Sequence, residues 1–320
     1  MTANMPTIHP RRTTRVMQQP INAFRDRVAG AASGLFKHAR YPLANTLDYP
    51  GDPGLCGPDS MSWRIIGDPA AFFGGVRALL VQAAHPEVAA GVADHSRYRE
   101  DPLGRLSRTS AYVTATTFGA MPEVEQAIQI VRRAHRPVKG VSHRSIEYTA
   151  DAPDLAAWVH NALTDSFLRA YLAFGPDALT PEEQDQFVAE QARIGQLLGA
   201  EPIPETAGDL HRWISDHAAL EPSPGMRETV DFVRSPPLPL SVKPGYQIIS
   251  QAAAATIPAD IANLLGLRTI PGAVKTGQAM SNFLRWSLGS SPTWELCLIR
   301  CGAPVPAGRF RQPLPVPLAP

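Results

Sequence analysis

The sequence predicts an all-α fold in a single multi-helix domain, and three observations support this prediction. Apolar residues recur at helical spacing through most of the chain, whereas the alternation of apolar and polar residues that is typical of strands is scarce. Apolar residues make up 44% and charged residues 18% of the 320 residues, so long stretches are expected to be buried. No internal repeat is visible. We therefore expect about ten helices around one core.

Three segments are expected along the chain. Residues 1–45 are basic and loosely patterned, and they predict an N-terminal arm that is partly helical. Residues 46–290 carry the strong helical patterns and predict the all-α domain. Residues 291–320 are rich in proline and predict a C-terminal tail.

The composition limits which binding partners and which cellular compartment are expected for this protein. The formal net charge is +1, with 30 basic and 29 acidic residues, so neither nucleic acid nor an anionic membrane is expected as a partner. The cysteines are odd in number and widely spaced (Cys56, Cys297, Cys301), which favours a reducing compartment. No apolar signal region follows Arg11-Arg12, and the longest apolar window, 70–84, is too short to span a bilayer. We expect a cytoplasmic protein without an integral membrane segment, and the oligomeric state stays open.

The first strongly helical stretch covers residues 70–90. Gly74, Ala78 and His85 share one face of this predicted helix, and small residues on a face let a flat or closely packed partner approach the backbone. His85 precedes a proline, which should kink the helix one turn before its end.

The next helix is expected at residues 103–118. One of its faces combines two arginines, two threonines and a tyrosine with no acidic residue: Arg105, Arg108, Thr109, Tyr112 and Thr116. A solvated surface would explain the arginines but not the tyrosine and threonines. The face is therefore either an ordinary wet surface or the polar lining of a pocket.

A third helix is expected from Pro122 to Gly140, with His135 in its apolar stripe. The apolar residues that share the face of His135 are Val124, Ile128, Val131 and Val138. Arg132 and Lys139, at i−3 and i+4, flank the histidine on one side. An inward imidazole beside two cations suits an anionic group whose reactive centre takes a nitrogen ligand. A core histidine bonded to a carbonyl is the simpler explanation of this stretch alone.

Further helices are predicted downstream. Residues 155–174 form a strongly apolar helix that carries His160, the second inward histidine. Thr180 to Glu183 is a capping box that opens a helix ending at Leu198. Three more helices are expected at residues 246–255, 259–265 and 277–288.

The common catalytic motifs are absent. The chain has no G-x-G-x-x-G, P-loop, G-x-S-x-G or H-E-x-x-H. What remains is a helical pocket with single inward histidines and several cations. A neutral imidazole on a helical scaffold is a normal proximal ligand of haem, and arginine or lysine pairs naturally with propionates. The residues alone are therefore compatible with a b-type haem pocket.

Four short motifs occur in a fixed order: Trp63-Arg-Ile-Ile-Gly-Asp-Pro69, Leu80-Val-Gln-Ala-Ala-His-Pro86 with Gly91, Asp101-Pro-Leu-Gly-Arg105-Leu-Ser-Arg108-Thr109, and Trp158-Val-His160. Together they cover about residues 60–270 and resemble the MpaB-type oxygenase family, a bacterial group related to latex-clearing protein, the haem-b rubber oxygenase. The resemblance implies a globin-like multi-helix domain around a buried haem pocket.

The resemblance also implies roles for particular residues. His135, which lies 26 residues after Thr109, is similar in position to the family's proximal iron ligand, with His160 as the alternative. Arg105, Arg108 and Thr109 resemble the distal run, where they would polarise a bound oxidant. The remaining assignments are propionate contacts from Arg132 and Lys139, a pocket border of Gly74 and Ala78, and a distal acid or base at His85.

Two features depart from the family's pattern. Arg108 stands where the family has a lysine, and a guanidinium cannot lose its proton to cap iron. The secretion signal expected of a polymer-degrading enzyme is missing, which argues against rubber as substrate. We therefore expect a haem-b-dependent oxidoreductase or oxygenase that uses O₂ or peroxide to oxidise an apolar small molecule. A non-catalytic helical module that binds a lipid or isoprenoid without iron is the alternative.

Overall fold

The computed structural model describes residues 13–35, 43–307 and 310–312. Within these residues the prediction of an all-α fold is confirmed, because fourteen α-helices carry the chain and the regular strands form only one two-stranded sheet. The helices are α1 Thr13–Gly34, α2 Met61–Ile66, α3 Ala70–Gln82, α4 Pro86–His95, α5 Pro102–Phe118, α6 Met121–His135, α7 Pro153–Phe174, α8 Pro181–Leu198, α9 Ala207–Ser215, α10 Pro224–Arg234, α11 Lys243–Ala254, α12 Ala259–Leu264, α13 Ala273–Leu288 and α14 Pro292–Arg300.

The centre of the fold is the antiparallel pair of α3 and α7. Gly74 of α3 lies so close to α7 that a Cβ atom there would meet the Phe167 ring at 2.7 Å. Further along the pair, the Gln82 side chain donates a hydrogen bond of 3.0 Å to the Val159 carbonyl. The small residues of α3 therefore admit a neighbouring helix at short range, and α11 also packs on α3.

The predicted helix 70–90 is two helices in the structure. α3 ends at Gln82, and α4 begins at Pro86 with His85 as its N-cap residue in an extended conformation (φ −90°, ψ 118°). A residue that precedes proline is disfavoured in the α region, so the chain breaks here where a kink was expected.

The predicted helix 122–140 also ends early, at His135. Pro137 has no amide hydrogen and disfavours the helical conformation of the residue before it. The chain instead enters the strand β1 (Lys139–Val141), which pairs antiparallel with β2 (Glu147–Thr149). Lys139 is therefore on a strand, and the expectation that it follows His135 by one helical turn is wrong.

At the C-terminal end of the chain the structure contains a helix where an extended tail was predicted. α1 packs on α13, while residues 1–12 and 36–42 of the predicted arm lie outside the described residues. The predicted tail 291–320 contains α14, whose Cys297 and Leu298 are buried in a second small core with Trp63 and Phe118. The folded body thus continues past residue 290, and the segments 308–309 and 313–320 lie outside the description.

The helix start predicted at Thr180 is present in the structure. The capping box of α8 is confirmed, since the Thr180 hydroxyl accepts from the Glu183 amide at 3.2 Å and the Glu183 carboxylate accepts from the Thr180 amide at 2.9 Å. Among the helices that the structure describes, none has the length and apolarity needed to cross a membrane.

Candidate functional site

The α5–α6 hairpin brings Arg105 and His135 to the same end of the molecule. The two helices pack on each other and reverse direction at Gly119-Ala120. Ala120 lies fifteen residues after Arg105 and fifteen residues before His135. At 1.5 Å per residue, both side chains lie about 22 Å from the turn. The hairpin therefore places the predicted ligand level with the first residue of the predicted distal run.

The hairpin packs mainly on elements other than the central helix pair. In the described part of the chain, α5 packs on α6 and α2, and α6 packs on α5 and α8, while Val113 of α5 packs against the main core. Several side chains of the two helix pairs are only partly covered: Arg105, Tyr112, Val131 and His135 on the hairpin, and Leu79, Val159 and Leu163 on α3 and α7. We call the region between the hairpin and the α3–α7 pair the hairpin cleft.

The α3–α7 side of the hairpin cleft is apolar. Leu79 and Leu163 pack against the main core and remain partly exposed. They lie side by side, because the antiparallel register that sets Gln82 opposite Val159 places Leu79 beside this turn of α7. A row of partly exposed aliphatic side chains is suited to an apolar ligand.

His135 lies on the inward face of α6, as predicted. Val124 and Ile128 of this face are buried, whereas Val131 and His135 are partly covered, so burial decreases toward the end of the helix. Burial lowers the pKa of His135, and the nearby Asp151 carboxylate opposes this in part. The imidazole is therefore mainly neutral at pH 7, and its ring makes no hydrogen bond to the residues that the structure describes.

The proximity of Asp151 to His135 shows where the start of α7 lies relative to the end of α6. Asp151 precedes the first residue of α7, Pro153, by two positions. The end of α6 and the start of α7 therefore lie near each other.

Arg105 is a cation with little solvation and no carboxylate beside it. Its guanidinium carbon lies 5.7 Å from the centre of the Tyr98 ring, and no acidic side chain of the described residues pairs with it. Burial lowers its pKa, and the neighbouring Arg108 acts in the same direction. A charge held in this way attracts an anionic or strongly polar ligand.

The other two members of the predicted distal run are engaged with their own helix. Arg108 is exposed and pairs with Asp101 at 3.1 Å. The Thr109 hydroxyl donates to the Arg105 carbonyl at 3.1 Å. The run shares one face, as predicted, but Arg105 is its only member whose charge the described residues leave without an acidic partner.

Tyr112 lies on the same face of α5 and was given no role by the sequence. Burial raises the pKa of its phenol, although the side chain is only partly covered. The lack of any acidic residue on this face was the sequence signal that could have singled it out.

The two predicted propionate contacts are both exposed. Arg132 donates to the Leu197 carbonyl at the end of α8 at 2.7 Å. The backbone carbonyl of Lys139 contacts the His95 ring at 3.0 Å. Their shared helical face does not exist in the structure, because Lys139 follows the end of α6.

Gly74 and Ala78 are both buried. At Gly74, where a pocket border was expected, the Phe167 side chain of α7 occupies the space in front of the glycine. The neighbouring Gly75, by contrast, is partly exposed, and a Cβ atom added to it would meet no other atom within 4 Å.

The structure does not bring His85 to the hairpin cleft. Its ring lies 5.8 Å from the Trp158 ring and 5.5 Å from the His217 ring, and its Nδ1 atom is 3.4 Å from the Glu87 carboxylate. Burial lowers its pKa to about 4. His85 therefore belongs to a separate aromatic cluster between α4, α7 and the end of α9.

His160 is packed between α7 and α8. A Cβ atom on Gly195 of α8 would meet the His160 ring at 2.7 Å. Burial lowers the pKa of His160 to about 4, and a hydrogen bond to the Gln191 backbone opposes this. The ring has a helix directly against it, whereas His135 is partly exposed. Among the described residues, no group of three or more acidic, histidine or cysteine side chains is arranged to hold a metal ion.

These features describe an all-α domain in which one helical hairpin carries a partly exposed histidine with a lowered pKa and an arginine without an acidic partner among the described residues. The family model for the catalytic domain of ER-bound oxygenase mpaB/B' and rubber oxygenase matches residues 63–286. The chain therefore belongs to this oxygenase family. No curated protein and no solved structure matches the chain.

Proposed function

We propose that this protein binds haem b in the hairpin cleft with His135 as the axial ligand, and that it uses dioxygen or peroxide to oxidise an apolar small molecule. The observation that carries the proposal is the His135 imidazole, which is neutral at pH 7, faces inward and has no hydrogen-bond partner among the described residues. The neutral imidazole is the form that binds iron. Membership of an oxygenase family supports the reaction class.

The charges around the cleft fit the group. A haem carries two propionates, and an arginine pairs well with a carboxylate. Arg105 has no acidic partner in the described chain, and Arg132 has only a backbone carbonyl. Arg132, together with Lys139, would hold the propionates at the rim, while Arg105 is left for the oxidant. Arg108 is the weaker candidate because Asp101 already offsets its charge.

His160 is the less suitable axial ligand. Its ring lies against the backbone of α8 at Gly195, so a macrocycle could reach it only if α7 and α8 moved apart. His135 at the end of α6 is partly exposed, and no helix of the described chain is packed against its ring in the way that α8 is packed against His160. The geometry thus favours His135.

The bound haem would supply the activation of dioxygen or peroxide. The protein's own contribution is to bind, orient and exclude water. Leu79, Val159 and Leu163 offer an apolar wall for the substrate. Arg105 supplies a positive charge from the α5 side, where it would stabilise negative charge that develops on the oxidant.

Haem content tests the proposal directly. The wild-type protein, purified after expression with added haem precursor, is expected to show a Soret band and a single haem per chain. For any substitution of His135, the matched control is His143→Ala. It removes a half-exposed histidine that pairs with Glu221 and should leave haem content unchanged. A wild-type protein that neither contains iron nor takes up hemin would overturn the proposal. An iron-free protein that retains an apolar molecule would favour the lipid-binding alternative instead.

A further inference from the structure

The basic residues of this chain are concentrated toward its N-terminal end. Residues 1–45 hold seven of the 30 lysines and arginines but only one of the 29 aspartates and glutamates. The balanced total, which argued against an anionic membrane as a partner, therefore conceals a basic segment joined to an acidic remainder. Such an asymmetry of charge is typical of chains that bind a negatively charged surface.

The helix of this basic segment carries an exposed aromatic surface together with the helix on which it packs. α1 packs on α13, where Phe24 meets Phe283 and Trp286 with ring centres 6.1–6.3 Å apart. These three rings, and Ile21 one turn before Phe24, nevertheless remain between 38% and 47% exposed. We call these four residues the aromatic patch.

The aromatic patch is accompanied by cations. Together, α1 and α13 contain five basic residues and one acidic residue. Arg25 lies over the Trp286 ring at 4.9 Å and donates a hydrogen bond to the Trp286 carbonyl. Arg285 pairs with Asp68, whereas Arg25 and the exposed Arg27 have no acidic partner among the described residues. The two unpaired charges are therefore available to an anionic partner.

The composition of the aromatic patch matches an anionic lipid surface better than it matches another macromolecule. Aromatic and aliphatic side chains enter the boundary between headgroups and acyl chains, while arginines beside them attract anionic headgroups. Arg27 lies one turn from Phe24, and Asp26 points to the opposite side of α1, so the cation and not the acid accompanies the patch. Double-stranded nucleic acid would use the cations but not the apolar side chains. A second copy of the chain, bound through the same patch, would bring like charges together.

We propose that the aromatic patch docks this protein on an anionic lipid surface. The four apolar side chains would lie at the level of the headgroups, with Arg25 and Arg27 against the lipid charges, so the protein rests on the membrane without crossing it. This docking does not involve haem, and it therefore stands or fails separately from the proposed function. An apolar small molecule concentrates in lipid, so docking would bring the proposed enzyme to its substrate.

Co-sedimentation of the full chain with unilamellar vesicles tests the docking. The wild type is expected to bind vesicles in which about one third of the phosphatidylcholine is replaced by phosphatidylglycerol. It should bind vesicles of phosphatidylcholine alone much more weakly. Added salt should release the protein from the anionic vesicles, because it screens the attraction between the arginines and the headgroups.

Two matched pairs of variants test the apolar and the charged part of the surface. Phe24→Gln is compared with Ile130→Gln, which changes a side chain that is 53% exposed on α6, a helix that packs on α5 and α8. Arg27→Glu is compared with Arg133→Glu, an exposed arginine of α6 that donates only to its own helix. Affinity for the anionic vesicles should fall about tenfold in Phe24→Gln and about tenfold to thirtyfold in Arg27→Glu. The two α6 variants should match the wild type.

Three results would overturn the proposal. The first is a wild type that stays in the supernatant with the anionic vesicles. The second is undiminished binding in Arg27→Glu, an exposed position whose substitution tests the docking even where Phe24→Gln loosens α1. The third is a wild type that is dimeric by size-exclusion chromatography and becomes monomeric in Phe24→Gln, because the patch would then join two copies of the chain.

Discussion

The α3–α7 pair and the α5–α6 hairpin are both antiparallel helix pairs, but they differ in how their polar groups are satisfied. In α3–α7, Arg77 pairs with Asp165 at 2.8 Å, and both side chains are at most 1% exposed. In the hairpin, Arg105 faces an aromatic ring, and His135 has no hydrogen-bond partner among the described residues. Polar groups that find their partners within the protein stabilise the fold. Those that do not find them mark where a ligand can bind.

The largest effect is expected when the buried Arg77–Asp165 ion pair is broken. Asp165→Ala leaves the fully buried Arg77 without its counter-charge and should lower the free energy of unfolding by about 3–5 kcal/mol. Arg105→Ala removes a cation that has no acidic partner among the described residues. This variant should change the free energy of unfolding by less than about 1 kcal/mol. Urea denaturation of the haem-free proteins measures both. Equal losses would mean that Arg105 is also a structural charge.

The acid response of the two histidines is the next largest difference. His160 has a pKa of about 4 in the folded protein, below its unfolded value of about 6.5. The unfolded chain therefore binds the proton first, so stability is full above about pH 6.5 and falls as the pH drops toward 4. The loss from this group is about 3 kcal/mol. His160→Gln should flatten the stability profile over this range, as followed by urea denaturation at successive pH values.

The control for this measurement is His135→Gln, which should leave most of the profile in place because His135 is only partly covered. His85, whose pKa is also about 4, contributes a similar slope in both variants. A profile that His160→Gln does not alter would show that the ring is hydrated in the folded state.

Two neighbouring glycines on α3, Gly74 and Gly75, differ in the space around them: the first is tightly packed and the second is open. Gly74→Ala places a methyl group 2.7 Å from the Phe167 ring and should lower stability by about 1–3 kcal/mol through overpacking. Gly75→Ala meets no atom within 4 Å and should raise stability by roughly 0.5–1 kcal/mol, because alanine favours the helix. Thermal unfolding of the two variants gives the comparison. The opposite order would mean that α3 is rotated relative to α7.

The smallest effect is expected at the exposed end of the hairpin. Arg108 and Asp101 are 56% and 41% exposed, and such pairs contribute at most about 1 kcal/mol. Arg108→Ala should therefore unfold at nearly the same urea concentration as the wild type. A loss comparable to that of Asp165→Ala would show that the pair is buried in solution.

The sequence predicted the inward face of α6 and the polar face of α5 because both depend only on helical periodicity. It could not predict which partner covers a face. The small residues Gly74 and Ala78 predicted that a flat group would approach this face of the helix closely. In the structure, α7 packs against this face at Gly74. The same limit applies to His85, which the pattern grouped with that face, while its actual neighbours, Trp158 and His217, are distant in sequence.

Local breaks were harder to predict than faces. A proline inside an apolar pattern can kink a helix or end it, and the choice depends on tertiary contacts. At Pro86 and Pro137 the helix ends, which turned one predicted helix into two and moved Lys139 onto a strand.

The central claim is that the open histidine, and not the packed one, binds iron. The direct test is the absorbance spectrum of hemin-loaded His135→Gly and His160→Gly, each before and after addition of free imidazole. We expect His135→Gly to lose the spectrum of an imidazole-ligated haem and to regain it when imidazole is added, while His160→Gly keeps it throughout. The reverse pattern, with the spectrum lost in His160→Gly and intact in His135→Gly, would contradict the account.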